Sequence, residues 1–352
     1  MAEALNLHNH LNYTAPWWLP GGQLQTIAPA LFSKPHPTRP DDVPVQRERW
    51  PTPDGDFVDV DMALLKNEAV QQPVLLCLFH GLEGSARSHY ARAFAHWCGE
   101  NGLDFVLPHF RGCSGEINHT PRAYHSGDHE EIGWILGRVR ARFAQHRVIA
   151  AGVSLGGNAL MRWAGEHGQE AAQLVSAVAS VCSPIDLHAS GMAIGRGFNR
   201  LVYTPMFLRS MKPKAERKWQ QFPGLFDLER MRRSRDLYEF DDVFTAPLHG
   251  FLNTEDYWSR ASAKPVLDRI RIPALVLNAR NDPFVPASCL PTQVAGDWVR
   301  LWQPSGGGHV GFAAGQPLGH LQAMPQAVGG WLLDAAGLLG RDRGQLVQQL
   351  AG

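Results

Sequence analysis

The sequence predicts an α/β protein built on a mostly parallel sheet with helices on both faces. From residue 74 onward, short apolar runs of strand length alternate with segments of helical spacing, the pattern of parallel strands buried on both sides. That alternation breaks between residues 186 and 262 and then resumes, as expected when a helical insertion interrupts one large domain. The chain has 352 residues, of which 44% are hydrophobic, enough to fill a core of that size.

Residues 1–44 are rich in proline and aromatics (PWWLPGG, KPHPTRP), and we expect an arm packed on the body rather than a regular layer. Residues 45–185 are expected to form the first part of the core. Two alternating runs between Val45 and Leu65 flank Asp54-Gly55, which signals a hairpin. VLLCLFH (74–80) reads as a buried strand, 87–100 as a helix and LDFVLPHF (103–110) as the next strand. Asp128 with Glu131 has the spacing of a capping box opening a helix to about Gln145. RVIAAGV (147–153) reads as a strand, 155–167 as a helix and LVSAVASVC (174–182) as a strand. Residues 186–262 are the expected helical cap, and 263–352 the second part of the core. That part holds strands at IPALVLNA (272–279) and WVRLWQ (298–303), then a terminal helix over 317–338. Within the cap, residues 196–236 interleave arginine and lysine with Trp219, Phe222, Phe226 and Leu228. This is read first as the solvated face of lid helices. Attraction of anionic or lipid-like esters, or rest on a membrane surface, stay open beside it.

Lysine plus arginine total 33, and aspartate plus glutamate 33; this balance argues against nucleic acid as the main partner. The five cysteines are odd in number and lack CxxC spacing, which disfavours a zinc site or disulfide framework and points to a reducing compartment. The N-terminus lacks the basic and apolar regions of a signal peptide. The strongest apolar runs fall far short of the ~18 residues of a membrane helix. A cytoplasmic protein without an integral membrane segment is expected. No P-loop or GxGxxG motif occurs, and His119, His125 and His129 lack metal-ligand spacing, so neither metal nor cofactor is expected.

The stretch AAGVSLGGNAL (150–160) carries the chemistry. Gly152-Val153-Ser154-Leu155-Gly156 fits the G-x-S-x-G elbow of the α/β-hydrolase fold, between a strand and a helix, where the motif requires it. The glycines permit a tight bend, the Ser154 hydroxyl is lifted from the sheet edge, and the Leu155 N–H stands free at a helix N-terminus. A hydroxyl needs a base, and the base an orienting acid, in the chain order Ser, Asp or Glu, His. Asp282 follows the apolar run ALVLNA in a proline-bounded loop, and His309 lies in the loop SGGGHVGF after the next strand. Ser154, Asp282 and His309 are therefore the expected catalytic triad. Asp256 and Asp268 are rival acids that follow no such clear strand end.

His80-Gly81-Leu82-Glu83-Gly84 matches the HGxxG turn that supplies a second oxyanion donor, and Leu82 N–H is the expected one beside that of Leu155. His80 reads as a structural residue of that turn. Arg111 has two readings, one at the mouth of the substrate pocket and one ion-paired inside a tight turn. Cys113 has no histidine placed to activate it.

These stretches together resemble a known family. HGLEGS (80–85), HFRGCSGE (109–116), YHSGD (124–128), GVSLGGN (152–158), EFDD (239–242), HGF (249–251), NDPF (281–284) and GGHVGF (307–312) look like the YheT-like serine hydrolases, the AB hydrolase 4 family. The likeness runs from about residue 20 to 335, with LQT (24–26) resembling the family's N-terminal arm. It implies an esterase-like α/β-hydrolase with charge-relay residues at Ser154, Asp282 and His309. The arm here reads GGQLQT where the family more often has a polar, histidine-bearing segment, so its role is left open. Animal members carry an N-terminal membrane anchor, which is not read in this sequence.

The expected activity is cleavage of short- to medium-chain carboxylic esters through an acyl-enzyme, with a small-molecule ester or lipid-like compound as substrate. A lipid, thioester or amide hydrolase of the same mechanism is the alternative, and a catalytically silent lipid- or partner-binding scaffold stands further off. The oligomeric state is left open.

Overall fold

A computed structural model describes residues 10–65 and 72–338. The first nine residues of the expected arm and the last fourteen of the C-terminal segment lie outside the described residues. Strands β1 (Gln46–Pro51) and β2 (Phe57–Ala63) form the antiparallel hairpin turned at Asp54-Gly55. β2 pairs antiparallel with β4 (Asp104–Pro108), and parallel pairing then runs through β3 (Val74–Phe79), β5 (Arg147–Val153), β6 (Val178–Val181), β7 (Ala274–Leu277) and β8 (Val299–Trp302). The result is one eight-stranded sheet in the order β1-β2-β4-β3-β5-β6-β7-β8.

Successive side chains of a strand point to opposite faces, and β3 shows what that does for a strand buried on both. Leu75, Cys77 and Phe79 enter the core beneath α3 (His129–Arg142) and α4 (Leu155–His167), together with Ile135 and Trp163. Val74, Leu76 and Leu78 enter the opposite core with Phe94 of α2 (His89–Glu100) and Trp331 of α11 (Ala323–Ala335). A strand with both faces covered has no polar side, which is why its sequence is an unbroken apolar run.

Between β6 and β7 the chain is helical: α5 (Leu187–Ile194), α6 (Gly197–Gln221), α7 (Leu228–Arg233), α8 (Leu237–Phe240), α9 (Ala246–Leu248) and α10 (Thr254–Ala261). A π-helical turn, Asp241–Thr245, joins α8 to α9. Ahead of the sheet, α1 (Gly21–Phe32) turns the expected irregular arm into a helix over its middle third.

Several element ends differ from expectation. The helix that opens at Asp128 ends at Arg142. Its capping box is only half formed. The Asp128 carboxylate accepts from Glu131 N, but the Glu131 carboxylate turns away to accept from Arg111 Nε at 2.6 Å. The strand expected from residue 174 begins at Val178, because the N–H groups of Leu174 and Val175 are taken by the Ala171 carbonyl. The terminal helix begins at Ala323 rather than 317, and the preceding residues form a turn in which Ala314 pairs with His320.

A buried carboxylate of the hairpin, Asp56, gathers several donors of the loop after β4. Asp56 Oδ1 accepts from Phe57 N, Asn118 Nδ2 and His119 N, at 2.9, 2.9 and 3.0 Å. Its Oδ2 accepts from Thr120 N, Thr120 Oγ1 and Arg111 at 3.0, 2.7 and 3.1 Å. Burial alone would raise the Asp56 pKa; the His119 and Thr120 donors outweigh it and hold the group well below the ordinary carboxylate range. A carboxylate depressed in the folded state adds stability above its unfolded pKa of ~3.9, and that contribution is lost as pH falls. Asp56→Asn should therefore lower stability at neutral pH by about 2 kcal/mol. Thermal melts from pH 7 downward should show a shallower acid-side decline in the variant than in the wild type.

Candidate active site

The centre of the site is the junction of β5 and α4. Ser154 sits at φ 52°, ψ −121°, a left-handed conformation strained for any side-chain-bearing residue. The turn is held by Ser154 N donating to Val181 O at 2.8 Å and by Gly157 N and Asn158 N donating to Ser154 O. The glycines are required by proximity. A Cβ on Gly152 would collide with Gly156 and Gly157, one on Gly156 with the His80 carbonyl, and one on Gly157 with Ser183 Oγ. Gly157 thus lets α4 pack hard against the segment after β6. Asn158, fully buried, donates to Ser126 O and Ala261 O, each at 2.9 Å, and accepts from Ala263 N at 2.9 Å. It ties the elbow helix to the end of α10.

The structure brings the three expected residues into hydrogen-bonded contact. His309 Nε2 lies 3.0 Å from Ser154 Oγ, and His309 Nδ1 lies 2.9 Å from Asp282 Oδ2. The other oxygen of Asp282 accepts from Phe284 N at 2.8 Å and Val285 N at 3.3 Å, which fixes the carboxylate plane. The His309 ring packs on Phe284 with centroids 4.3 Å apart. The rival acids are elsewhere: Asp256 pairs with Arg260 on α10, and Asp268 belongs to the turn before β7, where its carbonyl accepts from Arg271.

The turn after β3 passes directly beside the elbow. A Cβ on Gly81 would stand 3.2 Å from the Ser154 Cβ. Gly81 N donates to the Tyr90 hydroxyl and Glu83 N to that of Tyr124, at 2.8 and 3.0 Å. The Leu82 N–H between them, and the Leu155 N–H at the start of α4, carry no hydrogen bond among the described residues. Two unspent amides beside one hydroxyl are the donors an oxyanion needs. His80 is buried, with Nδ1 2.8 Å from Gly81 O and Nε2 accepting from Phe110 N at 3.0 Å, and burial lowers its pKa to about 3. It is a neutral structural group.

A cavity opens over Ser154 and His309. Its wall is mostly apolar, with Leu82, Phe207, Leu237, Phe240, Phe244 and Trp258 supplying much of it. Arg111 lines one end, but its guanidinium is committed to Asp54, Asp56 and Glu131 at 2.6 to 3.2 Å, so the ion-paired reading describes it. Cys113 is a thiol whose pKa burial pushes to about 12.

Sequence reasoning left the arm without a role, and the structure supplies one. Thr26 Oγ1 accepts from His309 N at 2.9 Å, and Gln25 Oε1 accepts from Gly307 N at 2.7 Å and Asn281 Nδ2 at 2.9 Å. Asn281 Oδ1 in turn accepts from Gly308 N at 3.0 Å. A Cβ on Gly308 or Gly311 would run into the Gln25 backbone, so α1 is wedged against the histidine loop. The signal in the sequence was LQT itself, without any indication of its partner.

The fold and the site together define an α/β-hydrolase of the esterase and lipase type. A family model described as alpha/beta hydrolase fold matches residues 74–315. The chain is 36% identical over 312 residues to the "Putative esterase YheT" of Escherichia coli (strain K12), covering 88% of this chain and 89% of that one. It is 28% identical to the human "Phospholipase ABHD3", covering 86% and 74% of the two chains. The esterase Est1E from Butyrivibrio proteoclasticus superposes with a TM-score of 0.51 at 14% identity over 83% of this chain and 99% of its own, a likeness of fold. The chain belongs to the YheT-like branch of the α/β-hydrolase family.

The α1 clamp makes a measurable demand. Substituting Thr26→Val with Gln25→Leu should speed amide hydrogen exchange at Gly307 and His309 by about tenfold or more, because both N–H groups lose their acceptors. Exchange in β3 and β5 should stay as in the wild type.

Proposed function

We propose that Ser154, His309 and Asp282 act as a charge-relay triad that cleaves carboxylic esters with short- to medium-chain acyl groups. The observation that carries this reading is His309, bonded to Ser154 Oγ through Nε2 and to Asp282 through Nδ1. With Nδ1–H donated to the carboxylate, Nε2 presents its lone pair to the serine hydroxyl. Ser154 Oγ attacks the ester carbonyl while Nε2 takes its proton, and the oxyanion settles between the Leu82 and Leu155 N–H groups. His309 then gives the proton to the leaving alcohol, and a water deprotonated at the same nitrogen releases the acid.

The substrate is a small-molecule ester or lipid-like compound whose acyl group lies against Phe207, Leu237, Phe240 and Phe244. In this reading residues 186–262 are a cap whose helices form that wall, and residues 1–44 are an arm that braces the histidine loop. The relatives named as an esterase and a phospholipase support ester chemistry here. A silent scaffold would have no use for two unspent amides aimed beside a bonded serine. All five cysteines are free thiols, in keeping with a cytoplasmic location. Among the described residues no helix is long and apolar enough to cross a membrane.

Wild-type protein should label with a fluorophosphonate probe and Ser154→Ala should not. Equal labelling of the two would overturn the assignment. Ser154→Ala should lower turnover of a p-nitrophenyl ester by about 10⁵ or more, and Asp282→Asn by about 10⁴ through loss of the correct imidazole tautomer. Across a series of acyl lengths, activity should peak at short to medium chains. A steady rise towards long chains would favour the lipase alternative.

A further inference from the structure

We infer that the outer faces of α1 and α6 form a surface that docks the protein on an anionic lipid membrane. Scattered exposed hydrophobics are ordinary, but clustering is informative. Of fourteen large apolar side chains exposed among the described residues, seven stand on these two helices: Leu24, Leu31, Phe32, Phe198, Leu201, Val202 and Met206. Trp17, just ahead of α1, is 88% exposed. On α6, positions 198, 201, 202 and 206 share one helical face, while Tyr203, Thr204, Leu208 and Ala215 are buried on the other. The two helices touch at their first turns. Gln23 Nε2 donates to Asn199 Oδ1 at 2.9 Å, and the Tyr203 hydroxyl donates to Gln23 Oε1 at 2.7 Å.

Charge selects the occupant. The whole chain is neutral, yet residues 4–40 and 187–215 contain no aspartate or glutamate and hold seven lysines and arginines. Exposed Arg209 on the same face of α6, Arg196 just before that helix and Lys34 just past α1 have no ion pair among the described residues. Unpaired cations interspersed with exposed leucine, phenylalanine and tryptophan match an interface of anionic headgroups over acyl chains. A helix lying in that plane needs no membrane-spanning length. The proposal stands on surface chemistry alone, independent of the reaction at Ser154. It adds one consequence: the inner face of α6, through Phe207, Met211 and Lys214, lines the cavity, so a docked chain would hold its substrate pocket next to lipid.

Vesicle flotation of the full chain tests this, using phosphatidylcholine alone or with roughly one-third phosphatidylglycerol. The wild type should float with the anionic vesicles, about tenfold less with the neutral ones, and less again as salt rises from about 0.05 to about 0.5 M. Leu201→Asp with Met206→Asp, and separately Arg196→Gln with Arg209→Gln, should each weaken binding about tenfold. Leu252→Asp, an exposed leucine elsewhere, should not. All variants should keep the wild-type melting temperature and hydrolysis of a water-soluble ester. Loss of ester hydrolysis in every protein, wild type included, would count against the triad and leave docking supported if flotation holds. Failure of the wild type to float, or undiminished floating of Leu201→Asp with Met206→Asp, overturns docking. So does a dimer by light scattering that the same pair dissolves while no vesicle binding occurs, since a second copy would then own the surface.

Discussion

The strained backbone at Ser154 is the constraint around which the rest is arranged. A non-glycine residue at φ 52° costs on the order of 1–3 kcal/mol and persists only where its surroundings leave it no alternative. Here they do so through close approach. β5 enters at Gly152, α4 leaves through Gly156 and Gly157, and each of the three glycines meets backbone or a side chain where a Cβ would be. Asn158 anchors the departing helix to Ser126 and Ala261. The bend is thus imposed by packing on all sides, and the hydroxyl it raises has one direction in which to point.

The groups that meet that hydroxyl come from far along the chain and from flexible chemistry. Asp282 and His309 sit in loops rich in proline and glycine, and such loops hold geometry only where specific hydrogen bonds fix it. For Asp282 the fixing is local, through the N–H groups of Phe284 and Val285. For His309 it is not: Gly307, Gly308 and His309 spend their amides on Gln25, Asn281 and Thr26. The glycines that let the chain turn sharply at this loop also let α1 come against its backbone. One composition serves both needs.

Features that carry a local signature were legible in the sequence, and contacts between segments that carry none were not. β5, Ser154 and α4 appear at their expected limits because strand, elbow and helix are encoded in one contiguous stretch, Arg147 to His167. The triad order could be read because each partner lies just past a strand end. Cap partners were less legible where a side chain found a better one elsewhere. Glu131 left the capping box for Arg111, whose buried guanidinium needs compensation more than a helix terminus does. The partners of Gln25 and Thr26 lie more than 250 residues away, and no periodicity or spacing reports a contact at that distance. Asn158 was not singled out either, because its partners Ser126, Ala261 and Ala263 lie on other elements, 32 to 105 residues away.

The α1 clamp also bears on how the molecule is made. During synthesis Gln25 and Thr26 leave the ribosome on the order of tens of seconds before Gly307 and His309 exist, at roughly 5–20 residues per second. Through that interval the helix has none of its loop contacts, and Ile27, which packs with Tyr203 and Phe284, has no core to enter. Contacts of such long sequence separation close late. The nascent chain therefore carries an unpartnered apolar segment for nearly its whole birth, and the last structural event at the site joins its earliest and its latest residues.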